Sequence, residues 1–458
     1  MTRPSRPERP GRPAAGSTSR RAEATPTAPT PSGPVDLARW MADQRWFARS
    51  EAEPVVVDVD ELALPTDPPV ALALATLADG ARYQLVRPGT ADGPSRHDAA
   101  ADPEVATALA RFATSPATPA APLDGVRGCA VGSVRLGDAG ARPLGAEQTN
   151  TSCIVGGTHV LKVLRRVQPG IHPEVEVGLH LATAADVPVP RLAGWYELPA
   201  PDGDSDGEPT VLGVVHELVP AALDGWALVL SSLAGDPGGV LALLHDLGGA
   251  IARTHAALAR PGDGFGTEPF ATADLWALAD RLLADPLLPD DGHHLVARAV
   301  QAIGDDAGAA IRVHGDLHLG QTLLGSQGWM LLDFEGEPAR PVAERRLRSS
   351  PLRDVAGMLR SFSYAAAAHR RAEGAPLSPD WEVAARAALL DGYLAVADPA
   401  LLPASPVALR HLLVLLELEK VLYEVAYERA HRPDWEAIPL TGLAHLVDRH
   451  HRPRRGTP

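Results

Sequence analysis

The hydrophobic pattern of this chain changes at Asp224 from short β-type runs to long helical runs, and this change limits the possible folds more than any other feature. Before Asp224, apolar runs at 153–155 and 158–164 are separated by Gly156-Gly157, which is a two-residue hairpin signal. After it, helical spacing predicts helices at 228–233, 240–258, 274–284, 295–303, 352–368, 382–396 and 407–432. The pattern therefore predicts an α+β fold, with a β-rich lobe over 141–220 and a helical lobe over 221–458.

The chain before residue 141 divides into a tail and a small domain. Residues 1–34 are rich in proline and arginine and contain few apolar side chains, which predicts a disordered tail. Beyond the tail, the residue pattern predicts a helix at 105–112 and short strands at 55–59, 70–77 and 83–87. We therefore expect a small α/β domain over 35–140.

Charge, cysteine content and hydropathy disfavour several classes of protein. The 458 residues include 42 Lys+Arg against 57 Asp+Glu, and the net charge of −15 would repel a phosphate backbone. Cys129 and Cys153 can form neither a disulfide framework nor a CxxC pair. The sequence has no apolar run of the roughly 18 residues that a membrane span needs. We expect a cytoplasmic protein that binds neither nucleic acid nor a membrane.

Three positions stand out because their residue types are rare in this chain. Lys162 and Lys420 are the only lysines, and Asn150 is the only asparagine. Arginine supplies general surface charge, but it cannot replace the compact ammonium group of lysine where a point charge must fit. These positions are therefore candidates for a functional role.

The densest group of chemically capable residues lies in the helical half, where two short apolar strands each end near an acid. These acids are Asp316, in the sequence HGDLHLGQ, and Asp333, in the sequence DFEGE. Phosphoryl transfer needs a carboxylate to orient and deprotonate the attacking hydroxyl group, and it needs oxygen ligands for Mg²⁺. Asp316 can supply the first, and Gln321 with Asp333 can supply the second. The spacing from Asp316 to Gln321 equals that of the kinase catalytic loop.

Residues of the β-rich lobe strengthen this interpretation. Lys162 lies in the strand after the hairpin, where a phosphate-pairing lysine belongs, and Glu176 follows 14 residues later in a helix that begins near Pro173. We predict a Lys162–Glu176 ion pair. A turn or helix cap would explain either acid alone, but the joint order favours a phosphotransferase. Neither lysine stands in the Gly-Lys-Ser/Thr context of a Walker A loop.

At this point the sequence resembles a known family. The motifs HGDLHLGQ, DFEGEPARP, SPLRDVAGMLRSF, GAEQTNTS and VLKVLRRVQPG look like those of actinobacterial maltokinases, within the superfamily of aminoglycoside phosphotransferases and choline kinases. The resemblance implies a bilobal protein-kinase-like fold preceded by an N-terminal cap domain. It also implies ATP-dependent phosphorylation of maltose at its anomeric hydroxyl, with Mg²⁺, giving maltose 1-phosphate for α-glucan and glycogen synthesis.

The same resemblance implies roles for individual residues. Asp316 would be the catalytic base, Gln321 and Asp333 the Mg²⁺ ligands, and Lys162 with Glu176 the pair that holds the α-phosphate. Asp354 would support the backbone of the catalytic loop. The ATP-binding residues would also include a phosphate-covering turn and a hinge that holds adenine: Gln148, Thr149, Asn150, Thr151, Ser152, Glu217, Leu218 and Val219.

A helix that begins at Ser405-Pro406 is the candidate acceptor site. Carboxylates and ammonium groups bind sugar hydroxyls, and aromatic faces cover sugar C–H surfaces. A solvated helix face with i,i+4 pairs is the alternative interpretation. We predict that the sugar-contacting residues are His318 and the helical stripe Lys420, Tyr423, Glu424, Tyr427 and Glu428.

Other acceptors and a non-enzymatic role remain open. Ser363 replaces the aspartate of the maltokinase SFDYA motif, which can alter acceptor preference. Glucosamine kinases share the catalytic motifs and are the main alternative, followed by aminoglycoside-modifying enzymes. A pseudokinase that binds nucleotide without turnover is the alternative from another class. We expect a monomer that acts on a small sugar.

Overall fold

The computed structural model of this chain describes most of the sequence. The described residues are 34–47, 53–90, 93–94, 98–115, 125–145, 149–184, 186–200, 208–338, 340–374 and 379–451. The tail predicted over residues 1–34 lies outside these ranges except for Pro34, at which the first helix begins.

The first half of the chain is rich in strands. Its helices are α1 (Pro34–Ala42), α2 (Pro103–Ala113) and α3 (Pro173–Ala182). Its strands are β1 (Val56–Leu64), β2 (Val70–Leu77), β3 (Arg82–Thr90), β4 (Gly93–Pro94), β5 (Arg127–Ala130), β6 (Ala139–Pro143), β7 (Thr151–Gly156), β8 (His159–Val163), β9 (Arg166–Val167), β10 (Leu192–Leu198) and β11 (Thr210–Glu217).

These strands form two sheets. The chain passes from the second sheet to the first directly after β8, because β8 lies in the second sheet and β9 in the first. The first sheet has the order β1-β2-β3-β4, and β9 pairs with β3. The second has the order β5-β10-β11-β8-β7-β6, and all its pairs are antiparallel. Helix α2 packs on the second sheet and shares its apolar core. Strand β5, which the division at residue 140 assigns to the cap domain, is an edge strand of the second sheet.

The second half is mainly helical. Its strands are β12 (Leu223–Asp224), β13 (Glu268–Pro269), β14 (Ala309–Ala310), β15 (Thr322–Gly325) and β16 (Gly328–Leu331). Its helices are α4 (Gly225–Ala234), α5 (Leu241–Leu258), α6 (Thr272–Ala284), α7 (Asp290–Ile303), α8 (Val342–Arg345), α9 (Leu352–Glu373), α10 (Pro379–Val396), α11 (Pro406–His431) and α12 (Ala437–His451).

Close helix packing forms the core of this half and supports the catalytic segment. Helices α5 and α10 cross where Gly248 meets Gly392, and a Cβ atom at either glycine would clash with backbone of the other helix. Helix α11 packs against α7 and α9. The short strands β15 and β16 pair with each other and lie between Asp316 and Asp333 in the chain.

The observed architecture confirms the predicted fold class. The Gly156-Gly157 hairpin forms, with φ values of 64° and 69° that favour glycine. Each of the seven helices predicted after Asp224 is present, and the strands predicted at 55–59, 70–77 and 83–87 correspond to β1, β2 and β3. Among the described residues, we find no helix with the length and apolar content that crossing a membrane requires.

Candidate active site

The catalytic-loop segment is held by a buried aspartate on helix α9. The carboxylate of Asp354 accepts hydrogen bonds from the backbone N–H groups of His314, at 2.8 Å, and Gly315, at 2.9 Å. The His255 ring lies 3.0 Å from the same carboxylate. Gly315 has a φ of 86°, which a side chain would disfavour. This arrangement fixes the loop that presents Asp316, and it confirms the bracing role expected of Asp354.

Asp316 forms an ion pair with Lys420. The ammonium group of Lys420 donates to Asp316 Oδ1 at 2.9 Å, and it lies 3.5 Å from Glu337. Burial favours a higher pKa for Asp316, but the charge of Lys420 and the nearby His318 outweigh burial and lower that pKa. Burial likewise disfavours charged Lys420, but Asp316 and Glu337 raise its pKa well above the usual value. Both groups are therefore ionised at neutral pH.

A small pocket opens beside this ion pair. Tyr423 lines it, and the Lys420 ammonium lies 4.9 Å from the centroid of the Tyr423 ring. Arg353 pairs with Glu419 at 2.8 Å, on the same rim. The charged lining consists of three carboxylates and three cations, namely Asp316, Glu337, Glu419, Lys420, Arg340 and Arg353. The charges of this lining therefore balance.

Gln321 and Asp333 follow Asp316 in the sequence, lie in contact with each other and form the candidate metal site. The Gln321 side-chain amide donates to Asp333 Oδ2 at 2.8 Å. Asp333 has a φ of 64°, an unusual value for a residue other than glycine, and such backbone strain is concentrated at functional sites. Mg²⁺ prefers oxygen ligands, and a carboxylate beside a carboxamide supplies them. The residues present therefore fit the divalent ion expected from the sequence.

Lys162 is surrounded by three carboxylates. Its ammonium group lies 3.0 Å from Glu174 and 2.5 Å from both Asp333 and Glu335. Burial raises the pKa values of Glu174 and Glu335, because the attraction of one lysine does not compensate for it. For Asp333, the charge of Lys162 outweighs burial and lowers the pKa. The carboxylate oxygens of these acids are close enough together to hold a metal ion.

The predicted Lys162–Glu176 ion pair is wrong, because Glu174 takes that position. Helix α3 begins at Pro173, so Glu174 lies in its first turn and faces Lys162 on β8. Glu176 follows two residues later, which turns its side chain by about 200° around the helix axis. It pairs instead with Arg312, at 2.7 Å, and Arg346, at 2.9 Å.

The segment predicted to cover the phosphates contacts both the β-rich first half and the helical second half of the chain. The Asn150 side chain donates to Glu335 at 2.9 Å, and its oxygen accepts from the backbone of Arg165 at 3.2 Å. Thr149 is exposed, whereas Ser152 is buried in β7. Gln148, which was predicted to belong to the same turn, lies outside the described residues.

The predicted hinge begins at the last residue of β11, an interior strand of the second sheet. Strand β11 ends at Glu217, and Leu218 donates its backbone N–H to Thr158 at 2.8 Å. Val219 comes close to Gly325 of β15, which belongs to the helical half. These residues therefore lie where the chain passes from one half to the other, and adenine binding there stays a prediction.

The acceptor stripe on α11 divides into two parts. Lys420 and Tyr423 line the pocket beside Asp316. Two others are buried and paired: Glu424 with Arg360 of α9 at 2.8 Å, and Glu428 with the Tyr364 hydroxyl at 3.0 Å and Arg432 at 2.6 Å. Tyr427 is exposed, and its ring stacks on His431. His318 lies two residues after Asp316, and its ring accepts a hydrogen bond from the Gly320 N–H. Sugar contacts of these residues stay predictions.

The structure also adds residues that the sequence reasoning missed. Glu335 and Glu337 belong to the DFEGE motif that identified Asp333, so the motif itself held the signal for both. Glu419 directly precedes Lys420, but it lies outside the helical stripe that begins at Lys420. Nothing in the sequence pattern indicated that Arg340 and Arg353 would meet at the same pocket.

Comparisons with known proteins give a family match and two similar proteins. The sequence model of a family described as APH, phosphotransferase enzyme family, matches residues 140–385. A glucosamine kinase of Mycolicibacterium smegmatis is 31% identical over 342 residues, which cover 68% of this chain and 80% of that protein. A glucosamine kinase of Streptacidiphilus jiangxiensis is 30% identical over 416 residues, which cover 82% of this chain and 88% of that protein.

Solved structures show a similar fold. A glucosamine kinase in complex with glucosamine, ADP and inorganic phosphate matches with a TM-score of 0.60 and 24% identity, over 87% of this chain and 95% of that chain. A further crystal form of a glucosamine kinase matches with a TM-score of 0.58 and 24% identity, over 92% of this chain and 99% of that chain. The similarity to these two structures extends over most of both chains.

Proposed function

The chain belongs to this phosphotransferase enzyme family, and on that premise we propose that it transfers the γ-phosphate of ATP to a hydroxyl group of glucosamine. The observation that carries the proposal is the position of Asp316. It lines the pocket, and one of its carboxylate oxygens accepts a hydrogen bond from Lys420. The choice of glucosamine as the acceptor rests on the two curated relatives, because both are named glucosamine kinases. They favour glucosamine over the maltose that the sequence motifs had suggested.

In the proposed reaction, Asp316 accepts the proton of the acceptor hydroxyl group as its oxygen attacks the γ-phosphorus. The bond from the γ-phosphorus to the β,γ-bridging oxygen breaks, and ADP leaves. A carboxylate suits this role because it is ionised before the attack, and the Lys420 charge keeps Asp316 in that form. The braced loop holds the base in place, so its orientation is set before the substrate arrives.

The donor side of the proposed site consists of Lys162, Gln321 and Asp333. Lys162 would pair with the phosphates of ATP, and Gln321 with Asp333 would hold Mg²⁺. The bound ion would neutralise part of the negative charge on the triphosphate. Without such a cation, a triphosphate would meet the carboxylates that now surround Lys162 and be repelled.

Maltose is the second candidate acceptor, and the charge of the pocket supports it. An amino sugar carries an ammonium group, for which Glu337 and Glu419 are the carboxylate partners on the pocket rim. Both already pair with cations, Glu337 with Arg340 and Glu419 with Arg353. The ammonium group of glucosamine would have to replace one of these arginines, whereas a neutral sugar would not.

The test is ATP consumption by the purified protein with Mg²⁺ and a panel of acceptors: glucosamine, N-acetylglucosamine, glucose, maltose and an aminoglycoside. We expect turnover with glucosamine, and phosphorus NMR of the product identifies the hydroxyl group that is phosphorylated. N-acetylglucosamine is the matched control, because it lacks the positive charge of the amine. Turnover with maltose alone would overturn the glucosamine proposal and retain the kinase chemistry. Nucleotide binding without turnover on any acceptor would favour a pseudokinase.

A further inference from the structure

Glu176 is a buried charge that has no place in the proposed reaction. Its side chain is 11% exposed, and it lies on the side of helix α3 that is turned away from Lys162. A buried carboxylate is costly unless cations and hydrogen bonds compensate for the water that it loses. The partners of Glu176 therefore indicate what helix α3 is held against.

Two arginines of the helical half bind this carboxylate. Arg346 donates to both of its oxygens, from Nε at 3.0 Å and from Nη2 at 2.9 Å. Arg312, which is 2% exposed, donates from Nη1 at 2.7 Å. Burial favours a higher pKa for Glu176, but the hydrogen bond from Arg346 and the charge of Arg312 outweigh burial and lower that pKa. Glu176 is therefore ionised at neutral pH and paired with two cations.

Both arginines come from chain segments that lie next to the catalytic residues in sequence. Arg312 precedes Asp316 by four residues, and Arg346 follows the short helix α8, after the DFEGE motif. Ile311 and Ser349 exchange two backbone hydrogen bonds, at 2.9 and 2.8 Å, and thereby join the two segments. Glu176 therefore binds a pair of arginines whose positions the fold itself fixes beside the catalytic loop.

Helix α3 lies between the two halves of the molecule. On one side, Glu174 pairs with Lys162 of β8 at 3.0 Å, and Val175 belongs to the apolar core of the second sheet. On the other side, Val177 packs into the core of the helical half, and Glu176 binds the two arginines of that half. The place of Glu174 beside Lys162 therefore depends on where the helical half holds α3.

The ion pairs of Glu176 fix the helix more closely than its apolar contacts do. Apolar contacts are non-directional, so they allow a helix to slide or turn. A planar guanidinium group that binds both oxygens of a carboxylate sets the distance and the angle together. Glu174 and Glu176 are separated by only about 3 Å along the helix axis, so a displacement of one is passed to the other.

We infer that Glu176 is a positioning residue: through Arg312 and Arg346 it holds helix α3 where Glu174 meets Lys162, and it thereby raises the affinity of the enzyme for nucleotide. The inference rests on the proposed function, because it assigns the nucleotide to the Lys162 side of the site. In protein kinases, the position of the equivalent helix controls whether the lysine–glutamate pair forms. Here two arginines of the same chain fix that position.

The test compares Glu176→Gln with Glu268→Gln in the full chain. Glu268 is the matched control, because it pairs with Arg348 at 2.9 Å, close to the same segment, but is 51% exposed. We measure the dissociation constant of ADP with Mg²⁺ by isothermal titration calorimetry. We expect Glu176→Gln to weaken ADP binding by about three- to tenfold, because Lys162 loses the partner that orients it, and Glu268→Gln to leave it unchanged. Unchanged ADP affinity in a folded Glu176→Gln variant would overturn the inference.

Arg346→Met is the second variant, for the case in which Glu176→Gln does not fold because the buried Arg312 has lost its partner. In Arg346→Met, Arg312 keeps Glu176, and the Arg346 side chain is 27% exposed, so the fold should tolerate the change. We expect ADP to bind about two- to fivefold more weakly. Arg348→Met is the control, because Arg348 is 28% exposed and pairs with Glu268 instead. A folded Arg346→Met variant that binds ADP like the unchanged protein would contradict the inference.

A double-mutant cycle shows whether Glu176 acts through Glu174. If it does, the double variant Glu174→Gln, Glu176→Gln binds ADP about as weakly as Glu174→Gln alone. Effects that simply multiply would overturn the inference, because Glu176 would then act by a separate route.

Kinetics distinguish positioning from a general loss of stability. Glu176→Gln should raise the KM for ATP and leave the KM for the acceptor sugar unchanged, because only the Lys162 side is disturbed. A smaller folded fraction would instead lower kcat and leave both KM values unchanged, and that result would contradict the inference.

The two proposals can fail separately. If the unchanged protein binds no ADP, the proposed function fails, and the inference fails with it. If the unchanged protein binds ADP and Glu176→Gln binds it equally well, only the inference fails.

Discussion

The two lysines of this chain lie in opposite electrostatic surroundings. Lys162 faces Glu174, Asp333 and Glu335, so one cation stands against three carboxylates. Lys420 lies in a pocket whose carboxylates and cations are equal in number, with Asp316 as its closest partner. Both lysines bind a carboxylate of the candidate site, but only the first lies in a cluster with excess negative charge.

This difference indicates what each side of the site can bind. The cluster at Lys162 is suited to a divalent cation together with an anion that the cation carries, which is the form in which ATP is used. The pocket at Lys420 has neutralised its own charges, so it would recognise an acceptor mainly by hydrogen bonds and by the Tyr423 ring. The predictions below test whether donor and acceptor functions separate in this way.

The largest effect is expected for Asp316→Asn, which removes the proposed base. We expect kcat to fall by about 10²- to 10⁴-fold, the usual contribution of general base catalysis. ADP binding at the Lys162 side should stay unchanged, because Asp316 is absent from that cluster. Steady-state kinetics and calorimetry measure the two effects, with the exposed Asp246→Asn as control. Substantial remaining activity would show that Asp316 is not the base.

The next largest effect is expected for Lys162→Met, on the donor side. Three carboxylates would then lack their common cation, and a phosphate would lose a charge-assisted contact. We expect ADP to bind about 10- to 100-fold more weakly, with little change in the KM for the acceptor. A raised acceptor KM with unchanged ADP affinity would contradict the division between the two lysines.

Lys420 should control the pH dependence rather than the affinity for nucleotide. The base must be ionised, and the Lys420 charge lowers the pKa of Asp316 against the opposing effect of burial. Activity should therefore persist as the pH falls to the ordinary pKa of aspartate. In Lys420→Met, burial is no longer outweighed, so the acidic limb of kcat/KM should move up by about one pH unit or more.

Lys420→Arg separates charge from shape in this experiment. It keeps the positive charge beside Asp316, so the acidic limb should stay near its original pH, although the larger guanidinium group should lower kcat. His318 and Glu337 also face this pair, and both remain in each variant. An acidic limb that does not move in Lys420→Met would contradict the role of Lys420.

The fold was largely predictable from the sequence because its signals are local. The change of periodicity at Asp224 and the Gly156-Gly157 turn depend on neighbouring residues only, and both are confirmed. The kinase-like superfamily expected from the motifs is confirmed as well. Long-range sheet order was less accessible: β5 lies beside β10, and β9 beside β3, which short apolar runs cannot reveal.

The site was predictable only where residues lie within one motif. Asp316 and Gln321 share a loop, so their spacing carried information. The partner of Lys162 depends on the residue at which α3 begins, and a shift of two positions along a helix reverses the direction of a side chain. This is why Glu174 rather than Glu176 faces Lys162. The rarity of lysine identified both ion-pair centres, but it gave no information about their partners.

The smallest effect on activity is expected for Glu424→Gln, which tests how far the acceptor side extends along α11. The helical stripe predicts a sugar contact, but the structure pairs the buried Glu424 with Arg360 at 2.8 Å. Neutralising it leaves the Arg360 charge without its partner, so we expect the free energy of unfolding to fall by about 3 kcal/mol. The KM for the acceptor should change by no more than about twofold, because Glu424 pairs with Arg360 and the variant removes no contact with the bound sugar.

The control is Glu436→Gln, because Glu436 pairs with the exposed Arg429 and should affect stability by at most about 1 kcal/mol. Chemical denaturation and acceptor kinetics give the two readouts. If Glu424→Gln instead raised the acceptor KM strongly at unchanged stability, the acceptor site would continue past Lys420 along the helix. The site would then extend beyond the charge-balanced pocket, and the comparison of the two lysines would have to include Glu424 and Arg360.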